Sequence, residues 1–532
     1  MPGAIRVLGA VRVTARYRAP AADGELFADP PLVEIGRLLE ANSARLNSTN
    51  VRIAGVPLAE YRVRSVEEVI AAARDYLAAG GEPVPPAASR LIVAGHQPDF
   101  FHPGVWVKKF VLHELAKRHG YAPLNLVVDN DVVKAATMRV PVVSDDPARV
   151  TAINLAFDRP KGDRPHEEYR VADRALFDSF PERLSEYTRS WGFEPLVHQV
   201  WPAMRAELDR AATLGTAASR VRRSLERRWG VTNFELPVSR LAETWAFVGF
   251  VFTLLADLPR FVDAYNAAIR DYRSRNRLHS QNHPAPELRR WGNRVEAPFW
   301  IWRSDLPKRE RLFAVSVGDQ LEVQAGERTA IRLPDSATGS VAAWQEMVAG
   351  GWKVRPRALT LTLFARLCLG DGFIHGIGGG KYDEVTDDII RRFFQIEPPG
   401  YAVVSATIRL SLPRFSATVA SLHAAERRVR DLNWNPQRFP ADGDGQAALA
   451  EQKSGLITSE PGGKEARRQW FRDLQSVTRA MRPALAPELA HAERELLRAR
   501  DEIAANAILA SREYPWPLFP EDSLRNLFAS FR

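Results

Sequence analysis

Three short stretches carry side chains suited to bond-making chemistry. The first reads Gly95-His96-Gln97-Pro98, then His102-Pro103-Gly104, with Lys108 and Lys109 about one turn later. A loop that opens a helix leaves backbone N–H groups free at the positive end of the helix dipole, which suits an anion. Histidines there are placed to stabilise charge on a transferring phosphoryl group; the alternative is a loop that they merely cap. The second stretch is Asp129-Asn130-Asp131. Carboxylates two apart at a strand end suit an amine, a ribose hydroxyl or water-bridged Mg²⁺, unless they close the turn on their own backbone. The third is His375-Gly376-Ile377-Gly378-Gly379-Gly380-Lys381-Tyr382-Asp383-Glu384. It is not a Walker loop, because His375 and Tyr382 stand where that motif needs Gly and Ser/Thr. Its glycines permit close backbone approach to a ligand, and tight turns use such runs too.

Positioning these stretches requires a sheet. Leu91–Ala94 and Leu124–Val128 are short, continuous apolar runs flanking a helix expected from about Val105 to Arg118. Strand–helix–strand of this kind is a βαβ unit of a parallel sheet, so the fold class is α/β. Ligands of such sheets lie beyond the carboxyl ends of the strands. The His96 loop and the Asp129/Asp131 turn are expected there, with the glycine-rich run meeting the His96 loop over the same end of the sheet. Upstream, residues 32–48 read as an amphipathic helix, and Ser65 is expected to open a second, stopped by Gly80-Gly81. The Pro-rich link EPVPPAASR marks a boundary.

Six segments follow: 1–90, a helical part packing on the core; 91–165, the first half of the core; 166–350, helical and small β-rich insertions. Residues 351–412 hold the second half of the core with its Gly-rich loop, 413–510 a helical hairpin or coiled-coil arm, and 511–532 a segment returning to the core. In the arm, helices over 414–432 and 464–510 are expected to pair antiparallel across a Gly/Asp/Gln-rich loop. Arg355 and Arg357 are placed to clamp a carboxylate or phosphate, or to stand as a solvated pair. Trp291, Trp300 and Trp302 read as core and Glu296 as a weak ligand contact. The apolar stretch LAETWAFVGFVFTLLADL is too short to span a bilayer.

The 532 residues hold 73 Lys+Arg against 64 Asp+Glu, a net charge of +9. The basic residues are dispersed, and a binder of small anionic ligands, or simply an Arg-rich proteome, explains the balance as well as nucleic acid does. An RNA-binding reading rests on the helix near Arg220–Arg228. A single cysteine, Cys368, lies in an apolar segment and excludes an intrachain disulfide and a cysteine-built zinc site. No long apolar leader stands at the N-terminus, and a cytoplasmic location is expected.

The loop GHQPDFFHPGVWVKKFVL resembles the G-Q-Q-x-G-L-F-x-G-P-L-Y-x-x-x-K segment of the BshC family, the cysteine-adding enzymes of bacillithiol synthesis. LVVDNDVVKAA is similar to that family's A-x-E-D-H-D-x-x-E-V. KVRPRALTLTLF…FIHGIGGGKYDEV resembles its L-R-P … G-G-P-G-E-I-A-Y, and YPWPLFPEDSLRNLF its closing segment. The resemblance implies a Rossmann-like core related to nucleotidylyltransferases, helical insertions, and a coiled-coil arm forming a homodimer. It implies ligation of an amino acid to an amino-sugar conjugate, with ATP or ADP and Mg²⁺ as candidate cofactors. Three positions depart from the pattern: His96 for Gln, Asn130 for His, and Lys381 nearest the missing Glu. They point to an acceptor other than the family's own. Within this reading His96, His102, Asp129 and Asp131 are catalytic. Gly95, Gln97, Gly104, Lys108, Arg355, His375, Gly376, Gly378, Gly379, Lys381 and Tyr382 bind substrate or nucleotide. The rival expectation is a non-catalytic nucleotide-binding sensor or scaffold.

Overall fold

The computed structural model describes residues 17–531 except 161, 212, 319, 335–336 and 440–444. Most of the N-terminal stretch discussed above, and part of the Gly/Asp/Gln-rich loop, lie outside these residues.

In chain order the elements that build and brace the site are β1 (Leu26–Asp29), α1 (Ile35–Asn47), α2 (Leu58–Ala79), β2 (Leu91–His96), α3 (Pro103–His119) and β3 (Ala122–Val127). After a helical stretch come α4 (Leu214–Arg228), β4 (Phe234–Pro237), α5 (Trp245–Ala256) and α6 (Leu258–Asn276). A second sheet follows: β5 (Arg294–Arg303), β6 (Leu306–Val317), β7 (Gln320–Ala325), β8 (Arg328–Leu333), then α7 (Ala337–Ala349) and β9 (Trp352–Pro356). The helical segment α8 (Ala358–Leu369) leads to β10 (Gly370–His375), α9 (Ile377–Ile389) and β11 (Ala402–Ala406). The C-terminal part holds α10 (Val419–Trp434), α11 (Gln446–Thr458), α12 (Lys464–Met481), α13 (Ala486–Leu509) and α14 (Glu521–Ala529).

The main sheet runs β1-β11-β10-β2-β3-β4. Only β1 is antiparallel to its neighbour; the rest are parallel. The chain therefore winds outward from β2 through β3 to β4, then restarts on the other side of β2 with β10 and β11. The direction of winding reverses between β2 and β10, and the crevice beyond strand ends at such a reversal is where open α/β sheets bind ligands. Leu91 and Val93 enter one apolar core, Ile92 and Ala94 the other. Burial on both faces is why β2 reads as an unbroken apolar run rather than an alternating one.

The first core packs α2, α5, α6, α9 and the second sheet. The second packs α3, the helices of the middle region and the C-terminal residues Tyr514, Trp516 and Phe528. Phe110 and Phe528 stack at 3.9 Å, and the Trp516 amide donates to the Phe101 carbonyl at 2.9 Å. The C-terminal segment thereby lies over the loop that starts α3. No single described helix is long and apolar enough to cross a membrane. The apolar α5 meets α6 at 90°, and most of its large side chains are buried in the first core.

Several expectations are corrected. α2 begins at Leu58, and Ser65 sits inside it, its hydroxyl donating to the Tyr61 carbonyl. The glycine-rich run is not a loop but the first turn of α9. Residues 352–356, read with the second half of the core, form β9 and pair with β5 in the second sheet. Trp302 is buried, but Trp291 is 51% exposed and is no core residue. The arm contains two helix pairs instead of one: α10 packs on α13 and α11 on α12, because a break at Arg482–Leu485, containing Pro483, divides the expected long helix. The basic α4 is not a free surface. Arg222 and Arg223 are buried on Glu226 and Glu235, while Arg220, Arg227 and Arg228 pair with Glu207, Glu82 and Glu521. Burial alone would raise Glu235, but the two buried arginines hold it at about 2.

Candidate functional site

β2 leaves the sheet at His96, and α3 starts at Pro103 with His102 as its extended N-cap. Proline suits this first position because its missing N–H has no intrahelical partner there. Gly104 is forced by packing: a Cβ would stand 2.2 Å from the Ala406 carbonyl oxygen. The His96 Nδ1 lies 3.1 Å from the Gln97 carbonyl, which assigns the proton to Nδ1 and leaves Nε2 with the lone pair. Burial, then the charge of Lys108, keep the ring's pKa well below its ordinary value. His102 is lowered to about 4 by burial, against the pull of Glu513. Its Nε2 lies 3.5 Å from both Glu513 and Arg512, and its buried Nδ1 has no hydrogen-bond partner among the described residues. Both imidazoles are thus neutral near pH 7. The expected donation to phosphate does not suit His96, whose Nδ1–H is taken by the Gln97 carbonyl and whose Nε2 is left as a base.

The cation at this spot is Lys108. Its ammonium donates to the Gly95 carbonyl at 2.9 Å, and burial lowers its pKa to about 8. Its Cδ and Cε lie 4.0 Å from where a Cβ on Gly376 would stand. It therefore bridges the ends of β2 and β10 at the reversal. Lys109 turns the other way, toward Glu226 and Glu235, each at 3.9 Å.

Across the reversal, Ile374 pairs with Ala94, so His375 and Gly376 leave the sheet beside Gly95 and His96. His375 is buried, with Nε2 2.9 Å from Asp383 of α9, and Arg366 donates to the same carboxylate oxygen at 2.6 Å. Burial would raise Asp383, but Arg366 and His375 hold it far below the usual carboxylate range. With Nε2–H given to Asp383, Nδ1 is the acceptor that remains. Gly379 makes room for it, since a Cβ there would fall 2.7 Å from Nδ1. Gly380 is likewise required, 2.4 Å from a Val403 methyl, whereas Gly378 is exposed and a Cβ would meet nothing within 4 Å. Three glycines in one helical turn cost about 1 kcal/mol each relative to alanine. Packing accounts for two; open space above a helix N-terminus accounts for the third. α3 and α9 pack on opposite faces of the sheet, so their N-termini flank one crevice.

The exit of β3 closes a third side. The Gln97 amide donates to Asp131 at 3.2 Å, so the His96 loop and the acidic turn meet. Arg309 of β6 donates to the same carboxylate at 3.2 Å and to the Asn130 carbonyl at 2.8 Å. Asn130 in turn donates to the Pro356 carbonyl of β9 at 2.8 Å. Asp129 accepts the Ser239 amide at 2.9 Å and its hydroxyl at 2.5 Å. Burial and then Glu167 raise its pKa to about 7, against those bonds. The fork of Arg355 is occupied by Glu167, at 2.9 and 3.0 Å. Arg355 therefore orients Glu167, and Asp129 caps the helical turn after β4.

The structure thus brings Gly95, His96, Gln97, Lys108, Asp131, His375, Gly376, Gly378 and Gly379 to one end of the sheet. His102 and Gly104 sit at its edge under the C-terminal segment. Tyr382 packs edge-on to His283 at 4.8 Å, toward α6, and Lys381 is exposed; no contact joins either to the His96 loop. Glu167 and Arg309 could not be read from the sequence because their partners Arg355 and Asp131 lie 188 and 178 residues away. Cys368 is buried and its thiol is pushed up to about 12, so it is no nucleophile. Among the described residues, no group of three or more His, Cys, Asp or Glu converges as a metal would require. No protein-family model matches the chain, and no curated protein matches it in sequence.

Proposed function

We propose that this chain is a BshC-like ligase or transferase that joins the carboxylate of an amino acid to an amine, with a nucleotide activating the carboxylate. The reading places it with Rossmann-like nucleotidylyltransferase-related cores. The observation that carries it is the shared end of β2 and β10, where free amides of α9, the open position at Gly378 and the buried Lys108 face the His96 loop. Amides at a helix start and one ammonium are the groups that hold phosphate. The nucleotide supplies a leaving group on the carboxylate carbon. The protein's part is to fix the anion on the amides of Ile377, Gly378 and Gly379, and to accept the proton that the attacking amine releases as the C–N bond forms. His96, with its Nε2 lone pair, and His375, steered by Asp383, are the two bases available. Asp131 positions the His96 loop through Gln97.

Titration calorimetry with ATP, ADP and an amino-acid panel, followed by pyrophosphate- and ADP-release assays with amino-sugar acceptors, tests this. Turnover lost in His96→Ala and retained nucleotide binding is the expected pattern. Full activity in both His96→Ala and Asp131→Ala refutes it. A second reading, a nucleotide-binding sensor without turnover, draws on the internal commitments of Asp129, Asp131 and Arg355. Binding without release of product across the panel would select it. Homodimerisation through the C-terminal arm belongs to the same proposal. It is supported by exposed Val419, Trp434, Phe471 and Leu497 on α10, α12 and α13, and a cytoplasmic setting goes with it.

A further inference from the structure

A cavity of about 1590 Å³ lies away from the strand ends. It lies between α5 and the second sheet, bounded by α7 and by the short hairpin of residues 52–57 before α2. Apolar side chains dominate its wall, among them Trp245, Val248 and Phe252 of α5, Leu321 and Leu333 of the sheet, and Trp344 of α7. The volume exceeds the roughly 300–1,000 Å³ of common small-ligand pockets, which suits a long apolar body rather than a single ring.

Its charged lining holds two carboxylates and two guanidiniums. Both carboxylates are engaged elsewhere. Glu68 accepts the Trp245 and Ala246 amides at 2.7 and 3.0 Å, capping α5. Glu243 faces Arg240 and Arg355, each at 3.7 Å. Two guanidiniums remain. Arg64 stacks over the Trp245 ring at 3.7 Å, and Arg52 donates to the Gly55 carbonyl at 2.8 Å. Among the described residues, neither has a carboxylate within 4.0 Å. An apolar chamber with two arginines on its lining that have no carboxylate within 4.0 Å is complementary to a molecule with an apolar body and one negative end.

We propose that this chamber binds an amphipathic organic monoanion of the fatty-carboxylate type, its chain between α5 and the second sheet and its carboxylate on Arg64, with Arg52 on the same lining. The assignment is independent of the chemistry at the strand ends. The test uses the full chain and the fluorescent fatty acid cis-parinarate, displaced in turn by dodecanoate, dodecanol and dodecyltrimethylammonium below their micellar concentrations. Dodecanoate is expected to displace the probe about tenfold more tightly than the alcohol, the strength of a charge-assisted contact, and the cation least. Arg64→Met, at an exposed position that leaves the fold intact, abolishes that preference, and Val248→Trp obstructs part of the chamber wall and weakens all three. No parinarate binding, equal displacement by all three amphiphiles, or an undiminished carboxylate preference in Arg64→Met overturns the proposal. The ranking on the wild-type chain decides even if Val248→Trp fails to fold.

Discussion

Gly378→Ala separates a glycine kept for a ligand from one kept for a turn. The residue lies in the first turn of α9, outside the left-handed region, and a Cβ there would meet nothing within 4 Å. The folded chain should therefore gain most of the helix-propensity difference between glycine and alanine, up to about 1 kcal/mol. In a chain this long that raises Tm by only about 1 °C. An anion seated on the first amides of α9 meets the new methyl directly. Losing one amide contact to a charged group costs about 1.5–3 kcal/mol, a loss of roughly 10- to 100-fold in affinity. Stability and binding then move in opposite directions, which a simple packing defect does not produce. Calorimetric titration with pyrophosphate and ADP, beside thermal unfolding, measures both. Gly455→Ala in α11, also open within 4 Å and far along the chain, is the control that gains stability and leaves binding alone. If Gly378→Ala is stabilised and binds both ligands within twofold of wild type, the amides of α9 hold no anion.

Four further outcomes follow from the same geometry. Lys108→Met abolishes pyrophosphate binding while the fold survives; in wild type, a folded pKa near 8 against an unfolded value of about 10.4 makes stability rise with pH between those values, and the variant lacks that rise on urea titration. Asp383→Asn removes a carboxylate from buried Arg366 and His375 and lowers unfolding free energy by about 3 kcal/mol. Asp383 is held below its unfolded value, so its contribution is present above about pH 4 and lost below it, and the variant's urea midpoint falls less on acidification. Asp129 has the opposite sign: raised to about 7, it binds a proton that the unfolded chain has lost, so stability declines from pH 4 to 7 and Asp129→Asn flattens that decline.

The elements most easily read from sequence were those dictated by local chemistry. A buried strand needs an apolar run, and Leu91–Ala94 supplies one; a helix start tolerates proline, and Pro103 marks it. That the His96 loop meets the acidic turn was also legible, because a right-handed βαβ unit puts both at one strand end. What escaped was anything set by partners far apart in the chain. Whether Arg355 clamps a ligand or Glu167 depends on a contact across 188 residues. The glycine run misled because a flexible loop and a crowded helix turn use the same residue; only the His375 ring and the Val403 methyl decide between them. Trp291 and Trp302 looked alike in an aromatic cluster, yet one is exposed and the other buried.

The second sheet has a positional role that its distance from the crevice conceals. Apart from Asp129, which Ser239 holds, the polar groups at the exit of β3 are gripped from it: Asp131 and the Asn130 carbonyl by Arg309 of β6, the Asn130 side chain by the Pro356 carbonyl of β9, and Glu167, which repels Asp129, by Arg355 of β9. Asp131 passes that grip to Gln97 and hence to the loop bearing His96. The base with a lone pair at the strand ends is therefore positioned by an insertion that follows β4 in the chain, while α9 is held by the main sheet together with α6 and α8.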